Sequence, residues 1–168
     1  LLLVIINDRV LFNTYKYNNN KQIMIIHGDC YEELDKIEDQ SIQLICIDPP
    51  YNINKDTWDT IPNYQEWLIG VVNKLVPKLK PNGSFFIFHN DMPSISKLMV
   101  NIETHQPNLK FNQMIVWNKR FDGSKRKGFM DGFIVKNHLT NWNKMAEYIL
   151  FYTIDNTYKF KEARTRLN

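Results

Sequence analysis

The chain has few of the features that mark secreted, membrane or metal-centred proteins. Its opening LLLVII is only six apolar residues, has no basic stretch before it and runs into polar NDR, so it reads as neither a signal peptide nor a membrane span. Cysteine is scarce. Cys30 and Cys46 are the only two, too few for a disulfide framework, and they point to a reduced, intracellular and cytoplasmic protein. The four histidines, His27, His89, His105 and His138, are scattered, and each reads as a surface or loop residue, so no metal site is expected. Glycine is thin as well: the six glycines nowhere form Gly-x-Gly.

What is present is a core-forming composition with an uneven charge distribution. Hydrophobic residues make up 43% of the 168, enough for one domain. Residues 1–109 carry 9 basic and 13 acidic side chains, whereas residues 110–168 carry 12 and 5. A basic C-terminal part fits a polyanion partner; a solvated lysine-rich surface is the alternative.

From Met24 onward, short apolar runs alternate with amphipathic stretches, the pattern of an α/β fold. QIMII (22–26), IQLICI (42–47) and FFIF (85–88) read as buried strands, and KPNGS (80–84) as a turn. Tyr64, Trp67, Leu68, Val71, Val72, Leu75, Val76 and Leu79 repeat at helical spacing and make one apolar face. Asp29, with Glu32 three residues on, and Asp91, ahead of Pro93, read as helix caps. FNQMIVW (111–117) and AEYILFYT (146–153) read as strands, and residues 118–132 as a basic loop. Residues 1–23 lack a clear period and are read as an N-terminal extension outside the native domain, leaving 24–168 as the catalytic portion.

ICIDPPYNI (45–53) carries the chemistry. A buried parallel strand that ends in polar residues delivers them to the crevice at the sheet's carboxyl edge, where open α/β folds bind ligands. Pro49 and Pro50 fix φ and lack an N–H, so the turn is stiff. The Asp48 carboxylate and the Pro49 carbonyl can therefore converge on one ligand beside the flat face of Tyr51. Two acceptors and an aromatic plate suit a planar heterocycle with an exocyclic NH2, such as adenine or cytosine. A proline-terminated strand with a capping aspartate and a packed tyrosine is the structural alternative.

The DPPY tetrapeptide and its following asparagine (48–52) resemble the catalytic motif of the DNA amino-methyltransferases. HGDC (27–30) resembles that family's cofactor aspartate segment, LKPNGSFFIF (79–88) its next turn and strand, and WNKMAEYILFYT (142–153) its late strand with a glutamate. The similarity runs from about Met24 to Thr153. It implies a Rossmann-like, S-adenosylmethionine-dependent methyltransferase fold: three layers, a mostly parallel sheet and an antiparallel late strand. Asp48 and the Pro49 carbonyl would hold the target amine, Pro50 would stiffen the motif, and Tyr51 would stack on the base. Asp29, Cys30 and Asp48 would line the S-adenosylmethionine site. The aspartate-first form is typical of adenine enzymes.

A base inside duplex DNA cannot reach such a pocket, so the resemblance implies a flipped-out nucleotide and double-stranded DNA as partner. Lys119, Arg120, Lys125, Arg126 and Lys127 are candidates for phosphate contact, with Trp58 and Asp59 near the base pocket. It also implies a prokaryotic or phage origin, with room for a cognate restriction endonuclease. The family's Phe-x-Gly-x-Gly cofactor loop is missing; in the subgroup with an early catalytic motif it follows the recognition region. The expectation is thus the catalytic part of a longer enzyme, inactive and a poor cofactor binder alone. The competing readings are a non-catalytic DNA-binding remnant and a methyltransferase for the cytosine amine or RNA.

Overall fold

The computed structural model describes residues 2–6, 9–10, 15–17, 21–23, 28–53, 57–118 and 146–155. Its strands are β1 (Leu2–Ile6), β2 (Arg9–Val10), β3 (Tyr15–Tyr17), β4 (Lys21–Ile23), β5 (Gly28–Asp29), β6 (Ile42–Asp48), β7 (Leu79–His89), β8 (Lys110–Asn118) and β9 (Ala146–Thr153). Helices α1 (Cys30–Glu33), α2 (Tyr64–Leu75) and α3 (Met92–His105) lie between them. Seven strands form one mixed sheet in the order β5-β2-β1-β6-β7-β9-β8. β1, β6 and β7 run parallel, while β9 is antiparallel to both β7 and β8.

Period-2 patterning decides which side of the sheet is packed. Ile45 and Ile47 of β6 and Phe85 and Ile87 of β7 are buried and join Leu68, Val72 and Leu75 of α2 and Ile95, Leu98 and Ile102 of α3 in one core. The helical face expected over 64–79 is therefore present, with its last turn tightened to a 3-10 helix at Val76–Lys78 and Leu79 already in β7. Asp91 caps α3 by accepting from the Ser94 N–H (3.1 Å). The alternate residues Cys46 and Asp48 of β6 face the other side, where Phe86 and Phe151 stack with centroids 4.6 Å apart.

Three local expectations change. KPNGS is not a separate turn but part of β7: the pairing passes from Ile42↔Leu79 to Leu44↔Ser84, so the extra residues are taken up as a bulge. Lys21–Ile23 pairs with Tyr15–Tyr17 in a separate two-stranded sheet, and the rest of QIMII lies outside the described residues. Leu2–Ile6, read as an extension, pairs in register with Leu44–Asp48 inside the main sheet. The basic residues 119–127 lie outside the described residues.

Candidate active site

The carboxyl edge of β6 and β7 gathers the groups that the sequence singled out and two that it did not. β6 ends at Asp48, and Ile47 pairs with Ile87, so His89 closes β7 at nearly the same level. Asp48 is half-buried, and the Tyr51 hydroxyl donates to its Oδ1 at 2.6 Å. The turn thus folds back on the strand that precedes it. The Asp48 carboxylate caps none of the described α-helices, whose N-caps are Asp29, Asn63 and Asp91.

Beyond the motif the backbone is clamped. Asn52 has a positive φ of 55°, a conformation asparagine tolerates better than most residues. The N–H groups of Asn52 and Ile53 donate to the two oxygens of Asp59, at 2.8 and 3.0 Å, and Asp59 is 1% exposed. In return, Asn52 Oδ1 accepts from the Ile61 N–H (2.7 Å). Asp59, placed by the sequence at the edge of a base pocket, is instead the acceptor that fixes the loop after the motif.

Beneath the turn lies a pair whose role the sequence did not reveal. His89 is fully buried rather than a surface or loop residue, and its ring stacks on Tyr51 with centroids 4.9 Å apart and planes 28° from parallel. The Tyr64 hydroxyl donates to the Pro50 carbonyl (2.6 Å) and meets His89 Nε2 at 2.9 Å. The Asp91 N–H donates to His89 Nδ1 (3.0 Å). The alternation in FFIFH carried the signal, since residues 85, 87 and 89 share the packed face.

The electrostatics follow from burial. Desolvation raises the Tyr51 phenol far above its ordinary range, helped by the hydrogen bond to Asp48 and by the negative charges of Asp48 and Glu147. Glu147, in the late strand, is 7% exposed. Tyr64 is raised by desolvation and then by Asp59 and Asp91, and Tyr152 by desolvation and Glu103. Burial also raises the Cys46 thiol, with Asp48 adding to it, as expected for neighbours on one strand face. Tyr51 and Tyr64 therefore remain hydrogen-bond donors below about pH 10.

A phenol raised above its unfolded value of 10.0 holds its proton more tightly when folded, so its contribution is complete below about pH 10 and is lost as pH rises past it. Melting temperature is expected to fall above about pH 10, with these three phenolates forming only as the protein unfolds. Phenolate absorbance from all eight tyrosines in still-folded protein near that pH would contradict this.

The expected cofactor residues stand elsewhere on the same edge. Asp29 caps α1 by accepting from the Tyr31 N–H (2.7 Å), and Tyr31 Oη donates to the Trp67 carbonyl of α2 (3.0 Å). Asp48 pairs with Ile6, Ile6 with Arg9 and Arg9 with Asp29, so both aspartates end parallel lanes in one row. Three strand spacings, about 14 Å, separate them. Asp29 is exposed and uses one oxygen locally, which leaves a carboxylate's remaining acceptor capacity for hydroxyl or ammonium donors. Cys30 differs: at 2% exposure its side chain belongs to the core and is not available to line a ligand site.

A crossover-connected α/β sheet with a carboxylate, a rigid turn and an aromatic plate at its carboxyl edge has the fold of the S-adenosylmethionine-dependent DNA methyltransferases. The PvuII DNA methyltransferase (cytosine-N4-specific) superimposes with a TM-score of 0.58 at 17% identity, over 79% of this chain and 49% of that one. M1.HpyAVI, solved as a complex with SAM, gives 0.51 at 16%, over 98% and 61%. The family described as DNA methylase, the N6/N4 amino-methyltransferases, matches residues 42–168, and the chain belongs to it. It is 32% identical over 130 residues to the type II methyltransferase M1.MboII of Moraxella bovis, covering 70% of this chain and 48% of that protein. It is 34% identical over 115 residues to the DNA adenine methyltransferase YhdJ of Escherichia coli K12, covering 64% and 37%. The chain therefore spans no more than about half the length of these curated relatives.

Proposed function

We propose that the protein methylates the exocyclic amine of adenine in double-stranded DNA, using S-adenosylmethionine, with the target nucleotide flipped out of the duplex. The observation that carries this is the Asp48 to Tyr51 turn: a half-buried carboxylate and a ring plate held together at the open end of β6. The aspartate at the head of the motif and the likeness to an adenine methyltransferase support adenine over the cytosine amine. The cytosine-N4 reading keeps a place because a cytosine-N4-specific enzyme shares the fold.

The chain's residues would act as follows. Tyr51 donates to Asp48 Oδ1, which leaves Oδ2 and the Pro49 carbonyl to accept the two amine N–H groups. The amine's lone pair is delocalised into the ring, and holding both N–H groups favours a more tetrahedral nitrogen. As positive charge develops there, the Asp48 carboxylate stabilises it and is the group placed to accept the proton the amine sheds. When bound, S-adenosylmethionine supplies an electrophilic methyl group on a sulfonium. The exposed Asp29 has acceptor capacity to hold it, and Lys119, Arg120, Lys125, Arg126 and Lys127 are the proposed phosphate contacts.

Expression of the complete reading frame in a methylation-free host, followed by modified-base sequencing of its DNA, tests the reading. N6-methyladenine at a recurring site is the expected result. N4-methylcytosine would replace adenine with the second reading, and unmodified DNA would favour the non-catalytic DNA-binding remnant.

A further inference from the structure

Two side chains beneath the motif are built in a way that a core alone does not require. Because the Asp91 N–H donates to His89 Nδ1, that nitrogen keeps its lone pair and the ring proton sits on Nε2. Tyr64 gives its own proton to the Pro50 carbonyl, so its oxygen is left to accept from His89 Nε2–H. Every donor therefore has one direction: Asp91 N–H to His89, His89 to Tyr64, Tyr64 to Pro50. Each link joins a different segment: the cap of α3, the end of β7, the first residue of α2, and the turn itself.

The endpoints of this chain matter for what it can do. Pro50 lies between the carbonyl proposed to receive the amine and the tyrosine proposed to receive the base. His89 touches both sides of the problem, since its ring also lies flat against Tyr51. One pair of side chains thus fixes the carbonyl side of the turn by a hydrogen bond and the aromatic side by ring contact. Neither proline of the turn can donate an N–H, so the turn has little means of its own to fix its carbonyls.

We infer that His89 and Tyr64 are positioning residues for amino-group methylation: a directed hydrogen-bond relay, braced on α3, sets the Pro50 carbonyl and the Tyr51 ring plane against which the base is presented. This rests on the proposed methyltransferase function and adds to it the residues that pre-shape the acceptor turn. Their effect is on geometry at the reacting amine rather than on DNA affinity, because neither side chain is placed to reach phosphate.

Full-length protein carrying Tyr64→Phe keeps the ring and its packing while removing the hydroxyl. It is expected to lose about tenfold in single-turnover methyl transfer, with KM for DNA within about twofold of wild type. His89→Asn keeps an acceptor near the Asp91 N–H but is too short to place a donor where Nε2 meets Tyr64 and lacks the ring plate, and it is expected to lose at least as much. The double variant should be little worse than His89→Asn alone, since both break one relay. Wild-type rates in folded Tyr64→Phe, or fully additive losses in the double variant, would overturn the inference while leaving the function intact. Wild-type protein that methylates no exocyclic amine would defeat the functional reading and this inference with it.

Discussion

Replacing Asp48 with alanine is expected to lower single-turnover methyl transfer by about 10³-fold or more while the protein stays folded. The size follows from two losses at once. Alanine removes an acceptor for the amine N–H, and it removes the negative charge that faces a nitrogen becoming cationic. Charge stabilisation placed in advance at the reacting atom, away from bulk water, is among the larger single contributions to catalysis. Asp48→Asn separates the two losses, because it keeps a carbonyl oxygen in place of the anion. Its expected loss is smaller, about 10²-fold. The stability loss should be modest, since Asp48 is only half-buried and its side-chain bond among the described residues is the one from Tyr51; a hydrogen bond to a charged group is worth about 1.5–3 kcal/mol. An Asp48→Ala protein with near wild-type turnover would remove that carboxylate from the chemistry.

Tyr51→Ala is expected to cost about a hundredfold in transfer rate, through a different physical cause. Stacking a nucleobase on an aromatic side chain is worth about 1–3 kcal/mol, and without the plate the extruded base has no surface to fix its plane. The same substitution also frees the Asp48 carboxylate and exposes the face of His89. Tyr51→Phe keeps the plate and drops only the hydroxyl, so its loss should stay within a few-fold. Burial and the neighbouring carboxylates keep that hydroxyl protonated, so its own ionisation should contribute nothing to the pH profile of the wild type below about pH 10. Equal losses for Tyr51→Ala and Tyr51→Phe would assign the effect to the hydroxyl and contradict the stacking role.

The parts of this site that the sequence revealed are those governed by short-range rules. Strand β6, the proline-stiffened turn, the helix face from Tyr64 and the Asp29 and Asp91 caps depend on spacing within a few residues, and the structure contains each of them. His89 obeys the same short-range logic, although its residue type alone suggests a surface position. A histidine that continues a period-2 run of buried residues shares their face, and here its two nitrogens are satisfied from other segments. Tyr64 was legible as an apolar helix position, while its hydroxyl contact to Pro50 fourteen residues earlier was not.

Pairings between distant segments were harder to read. Leu2–Ile6 has the composition of a buried strand but no local period to show which strand it joins, and its partner lies beyond residue 40. Nothing in the sequence shows that the Asp59 carboxylate, expected at the pocket edge, turns back across seven residues to hold the Asn52 N–H. Cys30 is named by a resemblance in the HGDC segment, which carries no information on which way a side chain turns, and here it packs in the core.

A structure of the full-length protein bound to DNA carrying its target base examines the acceptor turn at the atoms themselves. The account predicts the exocyclic nitrogen within hydrogen-bond reach of an Asp48 oxygen and of the Pro49 carbonyl, with the base ring lying along Tyr51. A flipped base seated elsewhere, with Asp48 still bound to Tyr51 alone and turned from the amine, would contradict it.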